Sequence, residues 1–247
     1  MLLQACLNGA RRRDEHPALP TTALELASDA ALAAAAGLSA VHLHVKDDSG
    51  ADTLAADPLT EVLHSVRRAA EALAIGVTTG AWTLPDPQER VEAIRGWTAL
   101  PDFASVNWHE DGADQVAIAL LERGVDVEAG LWTHEAVERW ARSAVRDRCV
   151  RILIELPDAP DADTTSLRAR RMIDAVEAVD PRHAPVLLHG EGRSTWDALA
   201  SAASRGLDAR IGLEDTLELP DGSPAPDNAS LIDAARQLIQ RSARRHR

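Results

Sequence analysis

Tyrosine is absent from this chain of 247 residues, and phenylalanine and lysine each occur once. Of the 26 basic residues 25 are arginine, a bias that follows codon composition more than chemistry and that singles out Lys46. Cysteine occurs only twice, at Cys6 and Cys149, both in apolar runs far apart in sequence. That spacing excludes a C-x-x-C redox pair and a cysteine metal cluster, and it reads as two buried thiols. Positive charge is scarce as well. A net charge of -13 leaves no basic stripe to neutralise phosphates, which argues against nucleic-acid binding. The Arg11-Arg12-Arg13 run and the Arg244-Arg245-His246-Arg247 tail are local, and such runs are usually solvated. No apolar run is long enough to span a bilayer. Met1 leads straight into Leu2-Leu3-Gln4-Ala5-Cys6 with no basic n-region, so no signal peptide is expected and the cytosol is the expected location. There is no linker and no low-complexity segment, so residues 1–247 are expected to form a single domain.

What is present is an alternation. Eight β-rich apolar runs, Leu2–Asn8, Ser39–Val45, Ile75–Thr79, Phe103–Asn107, Val125–Gly130, Val150–Glu155, Pro185–His189 and Ala209–Leu213, alternate with eight longer helical patterns. The helices are expected over Thr22–Ala36, Leu59–Leu73, Pro87–Trp97, Ala113–Arg123, His134–Arg146, Thr165–Val179, Thr195–Arg205 and Asn228–Arg241. Caps mark several of them: Thr22 with Glu25 three residues on, Asp86-Pro87, and closing glycines at Gly37, Gly124 and Gly206. Units of about 31 residues predict an α/β fold, a single (βα)8 TIM barrel. A doubly wound sheet would need a glycine-rich phosphate turn after an early strand, and Asn8-Gly9-Ala10-Arg11 does not supply one.

In such a barrel the chemistry sits at the C-terminal ends of the strands. The second strand ends in Val41-His42-Leu43-His44-Val45-Lys46-Asp47. Residues two apart on a strand share a face roughly 7 Å apart, so His42 and His44 offer either the start of a metal site or the polar lining of a barrel mouth. The other strand ends tip this balance, because polar groups crowd the same rim: Asn8, Thr78, Asn107, Glu128, Glu155, His189 and the Glu214-Asp215 pair. Only the first strand separates the second from the eighth in a closed barrel, so Glu214 can reach a metal held by His42 and His44. Two histidines and a glutamate with an open position are a standard catalytic zinc set. Plainer roles exist for most of these residues. Asn8 and Asn107 can cap strand ends, and His189 reads as a satisfied histidine. Trp82, Trp97, Trp140 and Trp196 read as packing between helices and barrel, and Trp108 and Trp132 as walls of the pocket.

Taken in order, Leu7-Asn8-Gly9-Ala10, His42-Leu43-His44-Val45-Lys46-Asp47, Thr78-Thr79-Gly80, Ser105-Val106-Asn107 and Arg210-Ile211-Gly212-Leu213-Glu214-Asp215 resemble the β-keto acid cleavage enzymes over nearly the whole chain. The resemblance extends to Pro17-Ala18-Leu19-Pro20 and to the stretch from Gly222 to Asn228. It implies a Zn²⁺-holding barrel, typically a homotetramer, that reacts a small β-keto acid with acetyl-CoA to give acetoacetate and a new CoA thioester. It implies further that His42, His44 and Glu214 are metal ligands, Asp215 the base and Arg210 its assistant, with Thr78 lining the substrate. Asn8, Lys46, Asn107 and Glu128 are expected to meet the substrate alongside Thr78. The chain departs from the family's pattern in three places. Arg11 replaces a common glutamate, Lys46 a commoner arginine, and the sixth strand runs into the acidic Glu155-Leu156-Pro157-Asp158-Ala159-Pro160 where a glycine-rich loop associated with CoA is usual. Two other functions therefore stand beside the first: a metal-dependent hydrolase or lyase on a small keto-carboxylate without CoA, and a non-catalytic, metal-containing barrel that binds a ligand.

Overall fold

The computed structural model describes residues 1–180 and 184–245, so the last two residues of the basic tail lie outside it. Eight parallel strands close into a barrel in chain order. They are β1 (Leu3–Cys6), β2 (Ala40–Leu43), β3 (Ala74–Thr78), β4 (Phe103–Asn107), β5 (Asp126–Leu131), β6 (Arg151–Leu156), β7 (Val186–Gly190) and β8 (Asp208–Ile211). The helices that follow them are α1 (Ala23–Ala35), α2 (Ala56–Ala69), α3 (Pro87–Gly96), α4 (Ala113–Glu122), α5 (His134–Arg142), α6 (Ala162–Val179), α7 (Thr195–Arg205) and α8 (Asn228–Arg245). This is the (βα)8 barrel that the alternation predicts. No helix among the described residues is long and apolar enough to cross a membrane.

Local chemistry sets the helix starts. At α1 the Thr22 hydroxyl accepts from Glu25 N while the Glu25 carboxylate accepts from Thr22 N, satisfying amides that the first turn leaves free. Asp86 caps α3, with Pro87 at the first helical position. The barrel closes where β8 meets β1, with Gln4 opposite Arg210 and Ala5 opposite Ile211. Gly212 permits this closure, since a Cβ there would stand 1.8 Å from the Cys6 carbonyl oxygen. The same close approach lets Glu214 N donate to that carbonyl, which brings the chain after β8 across the mouth of β1.

Alternation along each strand divides the molecule into two environments. Val41, Leu43, Ile152, Ile154, Ala209 and Ile211 join the apolar core between barrel and helices, where Trp97 and Trp140 are also buried. His42, Leu153, Glu155 and Arg210, which alternate with them along the strands, line a central pocket. Below it Gln4 donates to Glu128 and Arg151 ion-pairs with Glu128. Charges this deep are tolerable only when paired.

Candidate active site

The pocket opens at the C-terminal rim as a cavity of about 540 Å³, lined by residues of β2, β3, β4, β6 and β8 and by the segments after β1, β5 and β7, which contribute Arg11, Trp132 and Glu191 among others. His42 and His44 project from the end of β2 and Glu214 from the loop after β8. Glu214 Oε1 lies 3.6 Å from His44 Nε2 and 4.0 Å from His42 Nε2. The three ligand atoms all lie within 4.8 Å of one another. Bonds of about 2 Å to a tetrahedral ion place its donors somewhat over 3 Å apart, so a small contraction would close this set on a divalent cation. Glu214 Oε2 is buried without a hydrogen-bond partner, its lone pairs free beside the Oε1 that accepts from Arg210. Two imidazoles and a carboxylate with an orphan oxygen fit a metal ion.

Electrostatics sharpen the arrangement. Burial pulls His42 down to about 3 against the pull of Glu214, so its ring is neutral. Burial acts the same way on His44, but Glu214 and Asp52 outweigh it and raise the group to about 9. Burial opposes ionisation of Glu214, yet Arg210 and the two histidines hold it well below the usual carboxylate range. Arg210 spans the acidic pair after β8. Nη2 donates to Glu214 Oε1 and to Asp215 Oδ1, both at 2.8 Å, and Nε donates to Asp215 Oδ1 at 3.1 Å. Arg210 lines the pocket while Asp215 sits one layer behind it, fully buried, with Oδ2 unpartnered.

The residues expected to touch substrate separate into two groups. Thr78 and Asn107 line the pocket. Asn8 instead brackets the backbone of His44, donating to its carbonyl and accepting from its N–H, both at 2.9 Å. Lys46 has its ammonium on the Gly9 and Arg11 carbonyls and Asp52, and it borders a neighbouring cleft. Glu128 lies below the pocket floor against Gln4 and Arg151. Among the tryptophans, Trp132 lines the pocket as expected, whereas Trp108 is buried behind it with its indole N–H on Asp114. Trp82, expected between helix and barrel, instead lies 48% exposed at the pocket mouth. The glycine before its turn explains the placement: a Cβ on Gly80 would stand 2.1 Å from the indole.

Asp52 escapes a reading of strand ends. Asp52 accepts from the His44 ring at 2.7 Å, and the turn that carries it is held by Asp47, whose carboxylate accepts from Ser49 N and Ala51 N. The Asp47-Asp48-Ser49-Gly50 turn is a visible signal that the loop folds back toward β2. On the opposite wall His189 lies between Glu155, 3.1 Å from Nε2, and Asp215, 3.4 Å from Nδ1. Burial and Arg210 work against its charge, but the two carboxylates raise it to about 9. Glu191, hydrogen-bonded to Glu155, completes this wall and is raised to about 7, first by burial and then by the charge of Glu155. Arg193, in the turn after β7, clamps Asp158 through Nε and Nη2, so the acidic loop after β6 meets a counter-charge.

Comparisons with known proteins place the chain in a family and agree with its fold. Residues 1–246 match the family model described as beta-keto acid cleavage enzyme. The 3-keto-5-aminohexanoate cleavage enzyme of Fusobacterium nucleatum subsp. nucleatum is 25% identical over 261 residues, covering 99% of this chain and 93% of that one. The enzyme of the same name from Acetoanaerobium sticklandii is 22% identical over 259 residues, with the same coverage of 99% and 93%. Among solved structures, apo ObcA superposes with a TM-score of 0.72 at 17% identity over 90% of this chain, which spans 61% of the ObcA chain. A ternary complex of ObcA with a C4-CoA adduct and oxalate gives 0.69 at 17% identity, covering 92% of this chain and 65% of that one. At that identity the structural likeness speaks for the fold, and the family model speaks for the lineage. The chain, matched from its first residue almost to its last, belongs to the β-keto acid cleavage enzyme family.

Proposed function

We propose that the chain is a Zn²⁺-dependent enzyme that cleaves a small β-keto acid, passing its acyl part to CoA and the acetyl group of acetyl-CoA to the remaining two-carbon fragment. The bond between the keto carbon and the CH₂ of the keto acid and the carbon–sulfur bond of acetyl-CoA break, while the acetyl carbon bonds to that CH₂ and the acyl carbon to CoA sulfur, so that R–CO–CH₂–COO⁻ and acetyl-CoA become acetoacetate and R–CO–S–CoA. The observation that carries this is the convergence of His42 Nε2, His44 Nε2 and Glu214 Oε1 beside Arg210 in one pocket. His42, His44 and Glu214 would hold the metal, which when bound polarises a carbonyl and stabilises enolate-like charge. Arg210 presents fixed positive charge to a carboxylate or thioester oxygen. Asp215 orients it through Oδ1 and accepts a proton at the unpartnered Oδ2. Thr78 and Asn107 supply hydrogen bonds along the pocket wall. Arg11, its Nε on the Leu213 carbonyl at 2.6 Å, adds a second cation at the mouth.

Neutralisation of Asp158 by Arg193 supports CoA as co-substrate, because it lowers the electrostatic cost of passing a polyanion over the β6 loop. A fold neighbour whose complex contains a CoA adduct points the same way. A second reading, with water instead of acetyl-CoA as acceptor, is favoured by the Glu155–Glu191 pair on the wall opposite Glu214. Assembly as a homotetramer is part of the proposal and is read by sedimentation. The decisive test is metal analysis with an assay on β-keto acids, with and without acetyl-CoA. Bound zinc that is lost in H42A/E214A, and product formed only with acetyl-CoA, support the first reading. A wild-type protein without affinity for zinc overturns it, and product formed without acetyl-CoA favours the second. Turnover that D215N abolishes excludes a merely ligand-binding barrel.

A further inference from the structure

We propose that Asp52, in the loop between β2 and α2, is a positioning residue of the metal centre that fixes the His44 ring and ties Trp82 across it. This rests on the reading of His42, His44 and Glu214 as metal ligands. Three donors from three places in the chain meet on its one carboxylate. His44 Nδ1 lies 2.7 Å from Oδ2, Trp82 Nε1 donates to the same Oδ2 at 2.8 Å, and the Lys46 ammonium reaches Oδ1. The Asp52 side chain is 4% exposed, so the carboxylate has left water for these partners. Trp82 stacks on the ring of His44, with centroids 5.8 Å apart and planes 18° from parallel. A hydrogen bond along one edge and an indole over one face leave the ring little freedom to turn.

Geometry gives this a chemical meaning. A histidine has two ring nitrogens, and a partner that accepts from one of them decides which lone pair remains for a metal. Asp52 takes the Nδ1–H, so Nε2, on the side where Glu214 Oε1 stands 3.6 Å away, is the nitrogen that would give up its proton and turn its lone pair to a metal. An ionised carboxylate at Nδ1 also raises the basicity of the ring as a ligand, and loss of such a partner typically costs 10–100-fold in metal affinity. Lys46 then has a definite function. Its ammonium links Asp52 to the Gly9 and Arg11 carbonyls, so the loop after β1 and the loop after β2 hold the carboxylate jointly. His42 has no counterpart to this: its Nδ1 is buried with no hydrogen-bond partner. The two histidines are therefore unequal, one anchored and one held by packing alone.

The test is zinc affinity, measured by competition with a chromophoric chelator on purified wild type, D52A and D52N, together with long-range ¹H–¹⁵N spectra of the His44 ring. We expect one zinc per chain in all three, bound about 100-fold more weakly in D52A and about tenfold more weakly in D52N, which keeps an acceptor but loses the charge. We also expect the Nδ1–H signal of His44 to lose its hydrogen-bonded shift in D52A. Should D52A not fold, D52N decides alone. An affinity in D52N within twofold of wild type overturns the role of Asp52 and leaves the metal site standing. A wild type that binds no zinc overturns the metal site itself.

Discussion

Glu191 gives the structure a pH dependence whose sign can be worked out in advance. Its carboxyl lines the pocket and hydrogen-bonds to that of Glu155, which is already ionised against His189. Burial and that neighbouring charge raise it from an ordinary 4.5 to about 7. The folded chain therefore keeps a proton that the unfolded chain has lost across this window, and stability must fall as pH rises through it. Below the unfolded value both states are protonated and the effect vanishes. Above the folded value the full cost of a second charge beside Glu155 is present. At about 1.4 kcal/mol per unit, the shift amounts to an upper limit of roughly 3 kcal/mol. Partial access of water to Glu191 and sharing of the proton across the pair both reduce it. Glu191→Gln removes the titration and keeps a hydrogen-bonding side chain. Urea unfolding of both proteins at several pH values between about 4 and 8.5 reads the difference directly. The variant is expected to match wild type at the acid end and to exceed it by one to about 3 kcal/mol at the alkaline end. A difference that does not change with pH would refute the shared-proton account of this wall.

Further consequences can be checked on the same protein. Arg90 is 1% exposed on its side chain and ion-pairs with Glu110 at 2.7 Å, and Glu110 in turn holds the pocket residue Asn107. Arg90→Met should cost about 3–5 kcal/mol in chemical denaturation by stranding that carboxylate, and Glu110→Gln in the same chain should restore most of it. Gly9 has φ +57°, and a Cβ there would stand 2.5 Å from Glu214 Cγ. Gly9→Ala should therefore cost about 1–3 kcal/mol in backbone strain and weaken zinc binding together, whereas an unchanged affinity would show that Glu214 can step aside. Zinc present at 100 times its dissociation constant should stabilise the wild type by about 2.7 kcal/mol, and Glu214→Gln should lose much of that gain in a thermal melt.

The barrel and the two candidate ligands on the second strand were legible in the sequence for the same reason: both are written in local periodicity. Apolar runs and capped amphipathic stretches recur unit by unit, and His42 and His44 share a strand face whatever surrounds them. Where a boundary moved, a specific hydrogen-bonding fact moved it. The second helix, expected from Leu59, begins at Ala56 with Pro58 as its third residue, because none of the first amides needs an acceptor inside the helix. The fifth stops at Arg142 instead of Arg146, where Ser143 N turns back to the Trp140 carbonyl and a short helical turn, Arg146–Arg148, follows. Pairings between loops have no such signature. Nothing local in the sequence joins Asp52 to Trp82, Glu155 to Glu191, or Arg90 to Glu110, since each pair meets only after separate βα units have closed side by side. The same limit governs Asn8, Lys46 and Glu128. A strand-end position tells which rim a residue occupies, but its hydrogen-bonding capacity is spent on whatever lies nearest. For Lys46 that is two carbonyls and Asp52, so the single lysine braces the ligand loop from behind the pocket wall. The charge that reaches into the pocket comes from arginine, at Arg11 and Arg210.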